Sequence, residues 1–329
     1  MSSFETSTRS AVIVGVGYAV PETLRTNEEI ATRLGVETEW LSRRSGTDVR
    51  HTAVRGERLD YFAARAATRA LEMAGVAPDE LDAVIVATTT PEEMSPHAAP
   101  LVAADIGARG AAALDVNAAC VGFVTSLTLG ASLIESGRSR AVVVIGADLL
   151  TQFVDYDDPQ SAMLFGDGAG AVVLVAAEHS TGVGASVLHS DGDGRDLIQL
   201  SRRGQLFRMD GPAVYRQAVT MMSDVTHEVL EREGVTLDDI DLFVYHQANS
   251  RIIRAVGQHL GLPEDKVVDV VARFANTSAA TLPIALGVAF EESRLHDGDR
   301  VLLGAFGAGM VWGAAIVTWG PIGATTRPR

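Results

Sequence analysis

The sequence predicts a layered α/β fold built from two similar halves. Three observations carry this. Apolar runs of strand length alternate with segments of helical spacing along the chain. The order of these segments repeats once, at an offset of roughly 155–160 residues, too long a period for a solenoid. The strand-like runs carry almost no charge, as expected of parallel-rich sheets covered on both faces.

The first half opens with the strand "SAVIVGVGYAVP", ending in a turn at Pro21. "TNEEIATRLGV" reads as a helix capped by Thr26 or Asn27, with acids in its first turn. "YFAARAATRALEMAG" has helical spacing and stops at Gly75. The strand "LDAVIVATTT" and the helix "PHAAPLVAADIG" follow, the helix stopping at Gly107. Next come the strand "AAALDVNAA", the apolar helix "VGFVTSLTLGASLIESG" and the strand "RAVVVIGAD". "GDGAGAVVLVAAE" reads as a turn followed by a strand.

The second half repeats the rhythm. "AVYRQAVTMMSDVTHEVLEREG" is a long helix, "DIDLFVYHQAN" a strand running into a polar turn, and "SRIIRAVGQHLG" a helix. "KVVDVVARFAN" reads as a strand, "TSAATLPIALGVAFEESRL" as a helix and "DRVLLGAFGAG" as a strand. No charge occurs from Val301 to Thr326, which is long enough to span a bilayer. Glycines 304, 307, 309 and 313 interrupt that stretch, so two buried strands joined by a turn are expected instead. The expected division is residues 1–177, with Cys120, and residues 178–329, with His246 and Asn276.

Composition bounds the function. A hydrophobic fraction of 47%, 21% charged residues and 32 glycines suit a tightly packed globular interior. The net charge of -15 argues against a general binder of nucleic acid or of an anionic membrane. A single cysteine allows no internal disulfide and suits a reducing, cytoplasmic setting. The polar opening "MSSFETSTRS", with Glu5, lacks the apolar core of a signal peptide. "GVGYAVP" has no acidic partner at dinucleotide-site spacing, and "GDGAGAVV" precedes its strand. No spacing suggests zinc or a P-loop, so no metal or cofactor is expected.

Aligning the halves places Cys120, His246 and Asn276 each where a strand gives way to a helix. Sites in α/β sheets lie beyond the carboxyl ends of strands. Each residue also has a plainer reading. Cys120 suits a buried structural thiol, His246 a structural ring, and Asn276 a helix N-cap. At an elbow, however, Cys120 sits at a helix N-terminus whose dipole favours a thiolate, the state an acyl-accepting nucleophile needs. His246 follows the apolar "DLFVY" and precedes Gln247 and Asn249, and Asn276 can donate to a developing oxyanion.

The motifs "DVNAACVGF", "LFGDGAGAVV", "HQANSRII", "NTSAAT" and "FGAGMVWG" together resemble the β-ketoacyl-acyl-carrier-protein synthase III family of thiolase-like condensing enzymes, over nearly the whole chain. The resemblance implies a five-layered α-β-α-β-α fold and a homodimer. It implies that acyl-coenzyme A acylates Cys120. Malonyl-acyl-carrier protein then decarboxylates, with its thioester carbonyl held by His246 and Asn276, and its carbanion attacks acyl-Cys120. This would start fatty-acid synthesis or prime a polyketide. The backbone N–H groups of Cys120 and Ala308 would hold the acyl oxyanion. Trp40 and Arg44 look like an adenine clamp, Asn249 a pantetheine contact, and Arg251 a residue of the tunnel mouth. Arg216, Arg251 and Arg254 would meet the carrier protein. Met94, in a loop reaching across the dimer, would bound the acyl pocket with Leu164, Phe165 and Phe274.

Departures from the family pattern are visible. Ala275 stands where glycine usually precedes the asparagine, "VDYDDPQSAM" lacks a frequent arginine, and Gln258 and His259 stand where relatives often carry lysines. Two other readings stay open. One is an acyltransferase moving the acyl group to a hydroxyl or amine without condensation, and the other is a catalytically quiet scaffold subunit.

Overall fold

The computed structural model describes residues 9–178, 182–200 and 206–321. Residues 1–8 of the N-terminal segment read as polar, and the end of the charge-free stretch, lie outside them. Nine strands build two sheets. The first contains β1 (Arg9–Ala19), β2 (Ala83–Ala87), β3 (Ala112–Val116), β4 (Ala141–Leu149) and β5 (Asp167–Glu178) in the order β1-β5-β4-β2-β3. Strands β4, β2 and β3 run parallel, and β5 runs antiparallel to both its neighbours. The second contains β6 (Val183–Ser190), β7 (Leu242–Tyr245), β8 (Arg300–Gly307) and β9 (Val311–Thr318) in the order β7-β8-β9-β6. Its pattern matches the first, with β7 and β8 parallel and β9 antiparallel to both its neighbours. The expected division at 177/178 falls at the last residues of β5.

The counterpart of β3 is reduced to one bridge, Phe243 with Val267. The strand expected over "KVVDVVARFAN" does not form. Its polar residues redirect the backbone. Gln247 Oε1 accepts the Val270 N–H at 2.8 Å, and Asp269 accepts the Val271 N–H and the Ser250 hydroxyl. Val271–Phe274 then turns as a short helix. The turn expected at "GDGAG" is also absent, because β5 already begins at Asp167. The charge-free C-terminal stretch does form two strands, β8 and β9.

Helices complete five layers, α-β-α-β-α, a thiolase-like arrangement. Helices α1 (Leu59–Ala74) and α2 (Ala98–Ile106) cover the outer face of the first sheet, packing on Val12, Val14, Val84, Val86, Val143 and Ile145. Helices α3 (Gly122–Glu135) and α6 (Thr281–Glu291) form the central layer and bury the alternate residues Ile13, Ile85, Val142 and Val144 together with Val244 and Leu303 of the second sheet. Helices α4 (Gly211–Glu233) and α5 (Ser250–Leu260) cover the other side of the second sheet. The central helices meet sheets on both sides, which explains their all-round apolar sequences. Leu127 of α3 is fully buried, and truncating such a leucine to alanine costs about 2–5 kcal/mol. Among the described residues no helix is long and apolar enough to cross a membrane.

Candidate active site

Three chain turns meet at one cavity of 710 Å³ between the two sheets. Cys120, His246 and Asn276 all line it, together with Ala308, Trp40, Arg44, Asn249, Arg251 and Arg216. Leu164 and Phe165 line it as well. Cys120 and His246 follow strand ends, Asn276 follows the short helix Val271–Phe274, and all three reach one place.

Cys120 lies just before α3, whose first residue is Gly122. The residue before it, Ala119, has φ 47°. Gly307 passes so close that a methyl group there would lie 2.8 Å from Cys120 N. Ser278 Oγ is 3.5 Å from Cys120 Sγ. Burial pushes the Cys120 thiol up to about 12, more than the Ser278 contact lowers it. Desolvation thus opposes the thiolate that the helix N-terminus favours. Such a dipole is worth at most about 2 kcal/mol, roughly thirtyfold in acidity, less than the desolvation it opposes. Neither Cys120 nor Ala308 gives its N–H to a backbone acceptor among the described residues.

His246 follows β7 directly and is 1% exposed. Desolvation brings its pKa down to about 3, so the ring is neutral at physiological pH. Nδ1 is 2.7 Å from Thr281 Oγ1, and the ring meets Phe306 edge-on at 5.6 Å. Asn276 is not the N-cap of a helix: Thr277 precedes the short turn Ser278–Ala280, and Ala280 precedes α6. The Asn276 Oδ1 accepts the Ser278 N–H at 2.9 Å, closing a local Asx turn, and this leaves the Nδ2 hydrogens for a ligand. Ala275 holds φ 57° and ψ −161°, a region nearly reserved for glycine and worth about 1–3 kcal/mol of strain.

The loop from Asn276 to Thr281 is pinned by Asp148, at the end of β4 and fully buried. Its Oδ2 accepts the Ala279 N–H at 3.2 Å. Its Oδ1 accepts from Thr89 N (2.8 Å) and from the hydroxyls of Thr88, Thr89 and Thr90. Burial raises the Asp148 pKa, and these donors oppose the rise. The loop lies so close to β4 that a methyl group on Gly146 would fall 2.2 Å from Ala279 O. Asp148, Ser278 and Thr281 were not singled out in the sequence. Their one signal is polarity beside charge-free strands: "TTT" after β2 and the aspartate closing "AVVVIGAD".

At the cavity mouth the Arg44 guanidinium stacks on the Trp40 ring at 4.4 Å. Arg251 lies over Tyr215 at 5.5 Å. The Asn249 side chain accepts the Arg251 N–H, capping α5, and donates to Arg44 O at 3.0 Å. Three expected residues lie elsewhere. Phe274 is 8% exposed and packs on Tyr18 and His51, away from the cavity. The positive φ at Ala275 reverses the chain between Phe274 and Asn276, so the two side chains diverge. Arg254 faces a separate shallow groove with Gln258 and Asp269. Met94 is 81% exposed and does not line this chain's own cavity.

Comparison with known proteins identifies the family. Residues 114–192 match the profile described as 3-oxoacyl-[acyl-carrier-protein (ACP)] synthase III, and residues 230–319 match its C-terminal counterpart. A β-ketoacyl-[acyl-carrier-protein] synthase III of Ruegeria sp. (strain TM1040) is 39% identical over 322 residues, covering 95% of this chain and 100% of that protein. The chain belongs to the 3-oxoacyl-[acyl-carrier-protein] synthase III family. The crystal structure of a 3-oxoacyl-(acyl carrier protein) synthase III from Pseudomonas aeruginosa PAO1 superposes with a TM-score of 0.91 at 40% identity, covering 95% of this chain and 99% of that one. A priming β-ketosynthase of a polyketide biosynthetic pathway superposes equally, at 0.91 and 34% identity, covering 94% and 97%. The synthase III motifs thus lie where the cavity is, with "DVNAACVGF" entering α3 and "NTSAAT" forming the pinned loop.

Proposed function

We propose that the protein is a β-ketoacyl-acyl-carrier-protein synthase III that carries an acyl group on Cys120 and extends it by decarboxylative condensation. The observation that carries this is the convergence of Cys120, His246 and Asn276 on one cavity whose mouth holds a cationic, aromatic rim. An acyl-coenzyme A thioester enters with its adenine against Trp40 and Arg44. Cys120 Sγ attacks the thioester carbon. The new C–S bond forms, the bond to coenzyme A breaks, and the thiol proton ends on the departing coenzyme A sulfur. The backbone N–H groups of Cys120 and Ala308 hold the oxyanion in this reading.

Malonyl-acyl-carrier protein follows, its approach favoured by Arg216 and Arg251 on an otherwise acidic protein. His246 and Asn276 donate to its thioester carbonyl. Loss of carbon dioxide leaves an enolate whose carbon attacks acyl-Cys120 and frees the sulfur. A neutral His246 stabilises that enolate without protonating it, as an imidazolium would. Nothing in this chemistry requires a metal or resident cofactor. We further propose a homodimer. Strand β3 lies at the edge of its sheet, half-exposed, and pairing through it would bring the exposed Met94 of each protomer toward the partner's pocket.

The test supplies acyl-coenzyme A thioesters of increasing length and then malonyl-acyl-carrier protein. Release of carbon dioxide with a β-ketoacyl product is expected. Acyl transfer to a small hydroxyl or amine without carbon dioxide would establish the acyltransferase reading, and no acylation by any donor the scaffold reading.

A further inference from the structure

The cavity mouth is built from both halves of the chain. The short helix Thr38–Ser45 brings the stacked Trp40 and Arg44, and the first turn of α5 brings Arg251 over Tyr215 of α4. All four residues line the cavity. A helix leaves its last carbonyl oxygens without intrahelical partners, and the oxygen of Arg44 is one of these. Gly46 turns the chain left-handed at φ 78°, and the Asp48 N–H that a further turn would have offered donates to Ala272 O at 3.0 Å instead. Asn249 meets the need. Its Nδ2 donates to Arg44 O at 3.0 Å, while its Oδ1 accepts the Arg251 N–H at 2.8 Å. Donor and acceptor are different atoms of the amide, so the two bonds form together without sharing a hydrogen. Among the described residues the bond to Arg44 O is the one hydrogen bond between Thr38–Ser45 and the second half of the chain. The helices also meet closely: a methyl group on Gly46 would lie 2.3 Å from Ser250 Oγ, a hydroxyl held by Asp269 at 2.9 Å.

We infer that Asn249 is a positioning residue that caps the end of Thr38–Ser45 and the start of α5 with one side chain, and so holds the Trp40–Arg44 pair in register with Arg251 for the nucleotide end of an acyl-coenzyme A. This rests on the proposed use of Trp40 and Arg44 against the adenine. It gives Asn249 a role different from the pantetheine contact that the family resemblance implies. Asn249 acts through Arg44 and Trp40, so its loss is felt by the part of the substrate farthest from the reacting thioester.

The test uses the full-length protein and adenosine 3′,5′-bisphosphate, the nucleotide end of coenzyme A without its pantetheine, titrated by calorimetry. In Asn249→Ser the serine still caps α5 but is too short to reach Arg44 O. The dissociation constant should rise about three- to tenfold, the worth of one hydrogen bond. The preference for acyl-coenzyme A over acyl-pantetheine as the acyl donor should fall by the same factor, through KM rather than kcat. A merely structural role would move both donors alike. Gly46→Ala, at a position outside the cavity lining, forces Thr38–Ser45 away from Ser250 and should lower the same preference. Unchanged nucleotide binding in Asn249→Ser would overturn the inference, and slowed acylation by acyl-pantetheine beside it would show a direct pantetheine contact instead. An unchanged donor preference in a folded Gly46→Ala would overturn it as well. If the wild type itself does not bind the nucleotide, the adenine reading of Trp40 and Arg44 fails and the inference falls with it.

Discussion

Replacing Gly307 with alanine should slow the acylation of Cys120 as well as lower stability. The added methyl would lie 2.8 Å from Cys120 N, 3.1 Å from Cys120 Cβ and 3.3 Å from Ala119 Cβ. Carbon contacts are comfortable from about 3.5 Å, so the nucleophile's backbone must retreat by more than half an ångström. The atoms it meets are backbone and Cβ atoms, so no rotamer change relieves the clash. Overpacking of this kind costs about 1–3 kcal/mol, and a 1 Å misplacement of reacting atoms costs on the order of 10²-fold in rate. A loss of about tenfold is therefore expected. The control is Gly304→Ala on the same strand. Its methyl would fall 2.8 Å from the buried Tyr245 ring, clear of Cys120. Rapid-quench intact-mass measurement of the acyl adduct, paired with urea unfolding, separates the two effects. If Gly307→Ala acylates at the wild-type rate, or slows no more than Gly304→Ala, the described fit between β8 and the nucleophile turn is wrong.

Asn276→Ala should still acylate Cys120 but lose decarboxylation, because only the second half-reaction needs its amide; an unchanged condensation rate would remove its proposed role. Because burial raises the Cys120 thiol to about 12 and only the thiolate alkylates, the rate of iodoacetamide modification should climb about tenfold per pH unit from neutrality through pH 9; a plateau below pH 8 would contradict the buried-thiol account. Asp148→Asn turns an amide donor toward backbone and threonine donors, so unfolding by urea should show a loss of about 1–3 kcal/mol; an unchanged midpoint would show that the carboxylate does not pin the Asn276 loop.

The duplicated fold was legible because both sheets use one strand order, which the repeated apolar runs record. The cysteine and histidine were legible for the same reason, since each follows a strand end, whereas Asn276 follows the short helix Val271–Phe274 that replaces the expected strand. The fate of "KVVDVVARFAN" was not legible. Alternating valines satisfy a strand pattern, and only the tertiary bonds of Gln247 and Asp269 show that the backbone leaves the sheet. Phe274 was misplaced because adjacency to Asn276 says nothing about direction, and the φ of 57° at Ala275 decides it. The balance at Cys120 was only half legible, because a helix N-terminus can be read from sequence and the desolvation that opposes it cannot. Asn249 and Asp148 act on residues remote in the chain, so their roles appear only when the halves are packed together.

The central claim is that Cys120 carries the acyl group. Intact-mass analysis after incubation with an acyl-coenzyme A panel tests it most directly. The wild type should gain one acyl mass, mapped by peptide digestion to the segment holding Cys120, and a folded Cys120→Ala should gain none. An adduct of the same mass on Cys120→Ala would contradict the account.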